Sequence, residues 1–353
     1  MVTELMKDIY RIEVPLPKNP MKLLNSYLIR SDGRSLVIDT GFNRPECKEA
    51  LMSGLKELNV DFDRTDLFLT HLHADHSGLL FSVKTEKNRA FAEEREAKVV
   101  NMLHKDEYWD HIYEEFRKAG LKLPKEEAVA THPGVMWRPD GEIDFTYITD
   151  GQTMTVGDYN LRCIVTSGHS PGHTCLYDEE REILFAGDMI LGDITPNLCY
   201  ELYLDDPLTD YVNSLRLLEK LPIKTIFVGH RNMLQDIYGR IDSLKVHHTK
   251  RCAEALHTLK NYGPMDSWDA AANMTWKIDA KNWEGFPPSQ KWFATGEADA
   301  HMVFLYHNGK VRMHYDDDGV KIYEYEPGFT HAKIFVSDDE KAAVGSINLD
   351  FRS

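Results

Sequence analysis

The run THLHADHSG, residues 70–78, constrains this chain more than any other stretch. His71 and His73 alternate along a short extended segment, with Asp75 and His76 just beyond it. Two imidazoles can then converge on one point and an Asp/His pair on a neighbouring one, and imidazole with carboxylate is the donor set that zinc and similar divalent ions take. A chance cluster of loop histidines is the plain alternative, and three further residues weigh against it. His169, in TSGHSPGHT, follows the strand-like run LRCIVT, Asp188 ends ILFAGD, and His230 ends TIFVGH. Strand termini are where a sheet delivers side chains to one edge. Buried core histidines would not repeatedly choose such positions.

The elements around these residues alternate between periods. IYRIEVPL and NSYLIRSDGRSLVIDTG read as strands, with Ser31-Asp32-Gly33 as turn chemistry between two of them. PECKEALMSGLKELNV has Ala50, Leu51, Leu55 and Leu58 at helical spacing, and the strand LFLT runs straight into HLHADH. Residues 84–134 are charged and helix-forming, an expected helical insertion beside the site, followed by the loop THPGVMWRPDG. EIDFTYI, QTMTV, YNLRCIVTS, TCLYD and EILFAGD then read as strands, PLTDYVNSLRLLEKL as a helix and TIFVGH as a strand. Beyond His230 the character changes to three helical runs and a hairpin around residues 316–319, a small winged-helix-like appendage. The expected organisation is a catalytic domain over residues 1–240, a helical C-terminal domain over 241–318 and a tail over 319–353.

Composition narrows the partners. The formal net charge of -16 repels phosphate backbones and anionic membranes, and no basic patch offsets it. A small-molecule substrate is therefore expected, with nucleic acid and membrane disfavoured and a homodimer left open. The five cysteines are scattered and form no C-x-x-C pair, so neither a disulfide framework nor a cysteine zinc site is indicated. With a charged N-terminus and no apolar run of membrane-spanning length, a cytoplasmic location is expected.

With H-x-H-x-D-H at 71–76 followed by His169, Asp188 and His230, the chain resembles the metallo-β-lactamase-fold hydrolases over about residues 8–235. The resemblance implies an α/β fold, the four-layer αββα sandwich, and a dinuclear site. It implies His71, His73 and His169 on one ion, Asp75, His76 and His230 on the other, and Asp188 bridging, with Asp39 of VIDTG outside the ligand set. GHSPGHT offers two histidines, and the resemblance favours His169 as ligand, leaving His173 an orienting or structural role. Two divalent ions about 3.5–4 Å apart would share a hydroxide that attacks the substrate, so no nucleophilic side chain is needed. Zinc is the first expectation, and iron and manganese accept the same ligands.

Fold alone does not choose the bond that is cut. The filled ligand set points to a small ester, thioester or lactone, as in glyoxalase II-like or lactonase-like enzymes of this fold. A phosphodiesterase or endoribonuclease, suggested by the helical C-terminal domain, is the alternative, as is a metal-holding binding protein without turnover; the net charge counts against a nucleic-acid substrate. Besides Asp75, the candidate catalytic residues are Tyr200 and Tyr203, where a hydroxyl near the metals could donate to a developing oxyanion. Met136 and Trp137 are candidates for the substrate wall. For all four aromatic or apolar side chains simple packing is an equal reading.

The tail carries a second signature. His331, Lys333 and Asp338 fit H-x-K-x-x-x-x-D, and Gly345, Ser346 and Asn348 fit the G-S-x-N that follows it. From about Gly319 the text resembles the second catalytic half of a cardiolipin synthase of the phospholipase D superfamily. That family needs two such motifs for a site, and this chain has one. A segment of this length cannot bury its own core. The expectation is a non-catalytic hairpin, left by a gene fusion or by an error in assembling the sequence.

Overall fold

The structure, a computed structural model, describes residues 1–326 together with the backbone of two further strands, Lys333–Ser337 and Lys341–Gly345. Two sheets form its centre. The first has seven strands in sequence order: β1 (Val2–Met6), β2 (Ile9–Pro15), β3 (Leu23–Ile29), β4 (Ser35–Ile38), β5 (Thr65–Phe68), β6 (Ala90–Glu93) and β7 (Phe145–Ile148). β1 to β4 pair antiparallel, and β4 to β7 pair parallel. The second sheet runs β12-β11-β10-β9-β8, from β8 (Thr153–Val156), β9 (Tyr159–Val165), β10 (Thr174–Asp178), β11 (Ile183–Gly187) and β12 (Thr225–Val228).

Burial explains the layering. Strands covered on both faces are buried along their length, and β4, β5, β10 and β11 are buried at every position. Ile9, Tyr27, Ile29, Phe68, Leu161, Phe185 and Phe227 fill the space between the sheets. On the outer face of the first sheet, Val14, Leu28 and Leu67 pack with Leu51 and Leu55 of the helix Pro45–Glu57 and with Trp109 and Phe116 of the helix Asp106–Lys118. On the outer face of the second, Ile164, Leu184 and Val228 pack against the helices Pro207–Leu218, Ile237–Tyr262 and Pro288–His307. Helix, sheet, sheet, helix is the expected four-layer sandwich.

Two readings of the sequence change. The stretch 84–134 is not wholly helical: it opens with β6, a strand of the first sheet, before the helices Glu94–Val100, Asp106–Lys118 and Lys125–Ala130. Three of the four residues in its AFAE text, the two alanines and the glutamate, are depleted in strands, and parallel pairing with β5 and β7 overrides that preference. The C-terminal helices and the hairpin of β13 (Val311–Tyr315) and β14 (Lys321–Tyr325) do form. They do not stand apart, because Ala294, Ala298, Leu305, Val311 and Tyr323 share one core with the second sheet. In the tail, the backbone of Lys333–Ser337 pairs antiparallel with Lys341–Gly345. The phospholipase D-like residues His331, Asp338, Ser346 and Asn348, and the side chain of Lys333, lie outside the described residues. Among the described residues no helix is long and apolar enough to cross a membrane.

Candidate metal centre

Both sheets feed one site at their shared edge. The loop after β5 carries His71, His73, Asp75 and His76, the last two within the single helical turn Ala74–Ser77. The second sheet sends His169 from the loop after β9, Asp188 from the end of β11 and His230 from the end of β12. These side chains form three overlapping groups: His71, His73 and His169; His71, His76 and Asp188; and Asp75, His76 and His230. Within each group the donor atoms lie within 4.8 Å of one another. Every group takes two residues from the first sheet's loop and one from the second sheet.

The imidazoles are held so that one nitrogen of each faces inward. His76 Nδ1 donates to Asp39 Oδ2 at 2.7 Å, His169 Nδ1 to the Asn197 carbonyl at 2.8 Å, and His230 Nδ1 to the Leu23 carbonyl at 2.8 Å. His71 Nδ1 lies 3.0 Å from Thr70 Oγ1, which itself donates to Asp39 Oδ2. Asp39 also accepts from the Thr70 amide, so one buried carboxylate orients two histidines of the cluster. His73 is turned the other way, with Nδ1 3.1 Å from His71 Nε2 and Nε2 3.8 Å from Glu201 Oε1.

Electrostatics follow from burial and from the two inward carboxylates. Burial and the neighbouring imidazoles push His71 well below the ordinary histidine range, and they push His169 down to about 3. Burial also opposes charge on His76, but Asp39 and Asp188 outweigh it and raise that imidazole well above its usual value. Burial would raise both carboxyls, yet His230 and His76 hold Asp75 down at about 2 and hold Asp188 far below the carboxylate range. The acids are thus ionised and His71 and His169 neutral, whereas, against burial, nearby carboxylates raise His73, His76 and His230, which would release protons on taking up an ion.

The residues fit divalent metal. His169 Nε2 and Asp188 Oδ1 are buried without a hydrogen-bond partner, a costly state for polar atoms unless a cation completes them. His76 Nε2 and His230 Nε2 face each other at 3.1 Å, two ring nitrogens aimed at common space. Asp188 reaches both sides, with Oδ1 3.4 Å from His76 Nε2, and Oδ2 3.4 Å from His230 Nε2 and 4.0 Å from His169 Nε2.

His173 does not join them. Its Nδ1 donates to Thr166 Oγ1 at 2.8 Å and its Nε2 accepts from the Asp188 amide at 3.2 Å, so both nitrogens serve to fix the turn carrying Asp188. Neither candidate tyrosine is hydrogen-bonded within the cluster: Tyr200 OH meets His111 Nε2 at 3.3 Å, and Tyr203 is half exposed. Trp137 is buried against Phe42, whereas Met136 is exposed.

Two carboxylates that sequence reasoning missed lie close in. Glu201, between the two tyrosines, faces His73 and accepts from Tyr108 OH at 3.2 Å. Glu96 is fully buried and accepts from the Leu72 amide, Ser170 Oγ and the Gly172 amide at 2.5–2.7 Å, tying the His71–His73 loop to the His169 loop. Burial outweighs those donors and the carboxyl sits at about 7. Neither residue belongs to a spacing pattern; their partners come from loops distant in sequence.

Residues 23–230 match the sequence profile of the Metallo-beta-lactamase superfamily. The chain belongs to that superfamily. It is a hydrolase-fold enzyme of that group, and its relatives include named enzymes. Acyl-coenzyme A thioesterase MBLAC2 of Homo sapiens is 29% identical over 224 residues, which cover 59% of this chain and 73% of that one. The Beta-lactamase-like protein 2 homolog of Caenorhabditis elegans is 27% identical over 259 residues, 72% of each chain. An Atrochrysone carboxyl ACP thioesterase of Aspergillus fumigatus is 27% identical over 222 residues, and the match spans only 55% of its length. Among solved structures, a metallo-beta-lactamase family protein from Thermus thermophilus superposes with a TM-score of 0.77 at 28% identity, covering 92% of this chain and 100% of that one.

Proposed function

We propose that this metallo-beta-lactamase superfamily member is a dinuclear metal-dependent thioesterase that hydrolyses small acyl thioesters. The observation that carries the reading is the set of overlapping donor groups with their two orphaned inward atoms, His169 Nε2 and Asp188 Oδ1. His71, His73 and His169 would hold one ion, Asp75, His76 and His230 the other, and the two oxygens of Asp188 would serve both. Bound there, the ions supply a water ionised near neutral pH and a Lewis acid for the substrate carbonyl.

The chain's own residues narrow the leaving group. Each ligating imidazole has its outer nitrogen committed, to Thr70, Asp39, Asn197 or Leu23, or turned to Glu201. A histidine so held orients a ligand and is not free to carry a proton to a departing group. Thiols ionise at about 8.5, so a thiolate departs near neutral pH without prior protonation, unlike an alkoxide. Asp75, with its pKa at about 2, stays ionised across the working range and acts as a donor oxygen rather than a proton acceptor. The thioesterase names of two relatives agree with this preference. Tyr200, Tyr203 and Met136 remain as candidates for the rim that meets the acyl group.

The test is a substrate panel on the metal-loaded protein: acyl-coenzyme A thioesters of graded length, a lactone, a β-lactam and an aryl phosphodiester. Thioester turnover is expected to exceed the others and to fall more than about 100-fold in Asp75→Ala, beyond the usual cost of losing a residue outside the ligand set. Turnover confined to the phosphodiester, or unchanged in Asp75→Ala, would refute the reading.

A further inference from the structure

The outer nitrogens of His169 and His73 point to the same short segment. Asn197 supplies the carbonyl for His169 Nδ1 at 2.8 Å, and four residues later Glu201 sets its carboxylate 3.8 Å from His73 Nε2. Between them, Leu198 and Cys199 are buried. The segment has no helix or ladder strand to fix it, so its position must come from what packs on it.

The packing comes from elsewhere in the chain. Gly296, in the helix Pro288–His307, lies so close to Cys199 that a Cβ placed there would sit 2.6 Å from the Cys199 Cβ. One residue on, Glu297 Oε2 accepts from Asn197 Nδ2 at 3.4 Å, while Glu297 Oε1 accepts from Arg251 Nε at 3.3 Å. Arg251 is buried and held in turn by Glu254 at 2.5 Å, by the Thr275 carbonyl at 2.9 Å and by the Trp276 ring face. At the other end of the segment, Tyr108 holds Glu201, and its helix is stacked onto the same C-terminal helix through Phe116 and Trp292 at 4.3 Å.

We propose that Asn197–Glu201 is an orienting strap for one metal position only, and that the C-terminal helix Pro288–His307 sets that position's affinity through Gly296 and Glu297. Glu201 is thereby a positioning residue for His73. The selectivity follows from the partners. The second position's histidines lean on Asp39 and on the Leu23 carbonyl, both in the first sheet's β3–β4 region and neither touching the strap. This rests on the two-ion reading above.

Removing an outer partner of a ligating histidine weakens metal binding about 10- to 100-fold. Glu201→Gln and Gly296→Ala are compared with wild type by counting metal per chain during equilibration against graded chelator, and by the absorption bands of the cobalt-substituted protein. Glu297→Ala, which releases Asn197 without adding bulk, stands in should Gly296→Ala fail to fold. Wild type is expected to release two ions in two steps. Glu201→Gln and the helix variant are expected to shift only one step, by about 10- to 100-fold, with one cobalt band set lost and apo melting curves retaining a single cooperative transition. Parallel weakening of both steps, or no shift in the folded helix variant, overturns the strap. A wild type that never holds two ions removes the two-ion reading instead, and the inference with it.

Discussion

Asp39→Asn is the sharpest perturbation of the centre, because it changes charge and hydrogen-bond polarity while keeping shape. Asp39 occupies a left-handed backbone conformation, φ 59°, which asparagine adopts readily, so the substitution adds little strain. In the native chain its oxygens accept from the Thr70 amide at 2.9 Å, Thr70 Oγ1 at 2.8 Å and His76 Nδ1 at 2.7 Å. If the asparagine oxygen keeps the Thr70 amide, its NH2 group faces two donors. His76 must then move its proton to Nε2, and the lone pair aimed at the centre is lost. The expected cost is about 10- to 100-fold in affinity for the ion at Asp75, His76 and His230, or about 1.4–2.8 kcal/mol at 1.4 kcal/mol per tenfold, with a smaller loss at the His71 ion through Thr70. Losing hydrogen bonds to a buried carboxylate should also lower apo stability by about 2–3 kcal/mol. The assay is metal stoichiometry against graded chelator, with urea denaturation of the apo protein. Wild-type affinity for both ions in a folded Asp39→Asn would show that the carboxylate does not set the His76 tautomer, and the orientation argument would fail.

Other outcomes can be checked more simply. Gly168 has φ 133°, and a Cβ there would sit 2.3 Å from the Tyr211 backbone, so Gly168→Ala should destabilise by about 3 kcal/mol or more and displace His169, measured by denaturant midpoint and metal content. All five cysteines are buried, with Cys47 raised to about 11 and Cys163, Cys175 and Cys252 to about 12, chiefly by burial; a thiol reagent at about pH 8 should label none until denaturant is added. Tyr200→Phe and Tyr203→Phe should leave metal content unchanged and alter KM for long acyl chains more than kcat; a kcat collapse would restore a tyrosine to the chemistry. Glu96→Ala removes the acceptor for two amides and a hydroxyl that tie two ligand loops, and should lower the melting temperature of the apo chain by several degrees, about 2 kcal/mol or more.

That these seven side chains would meet could be read from the sequence, because His169, Asp188 and His230 follow strands whose apolar text is unambiguous and His71 to His76 are packed into one short loop. Their orientation could not. Asn197 and Leu23 act through backbone carbonyls, which every residue type possesses, so nothing in their side chains marks them. Glu96 looks like one more charge on a charged helix until its turn is found under the loop of Leu72. β6 was hidden for a related reason: its two alanines and glutamate prefer helix, and the slot between β5 and β7 makes them extended. His173 has its Nε2 taken by the Asp188 amide, a contact between separate strands that the local text GHSPGHT does not show.

Each donor group draws two side chains from one sheet's loop and one from the other sheet. Cations in that position would act as rivets across the seam of the sandwich, clamping residues that lie far apart along the chain. The seam is then where the protein should breathe when stripped of metal. Amide exchange after chelation would quicken first along the facing edges of β5, β9, β11 and β12, well before the helices outside them, and a pulling force applied across the two halves would meet its last resistance at the site itself.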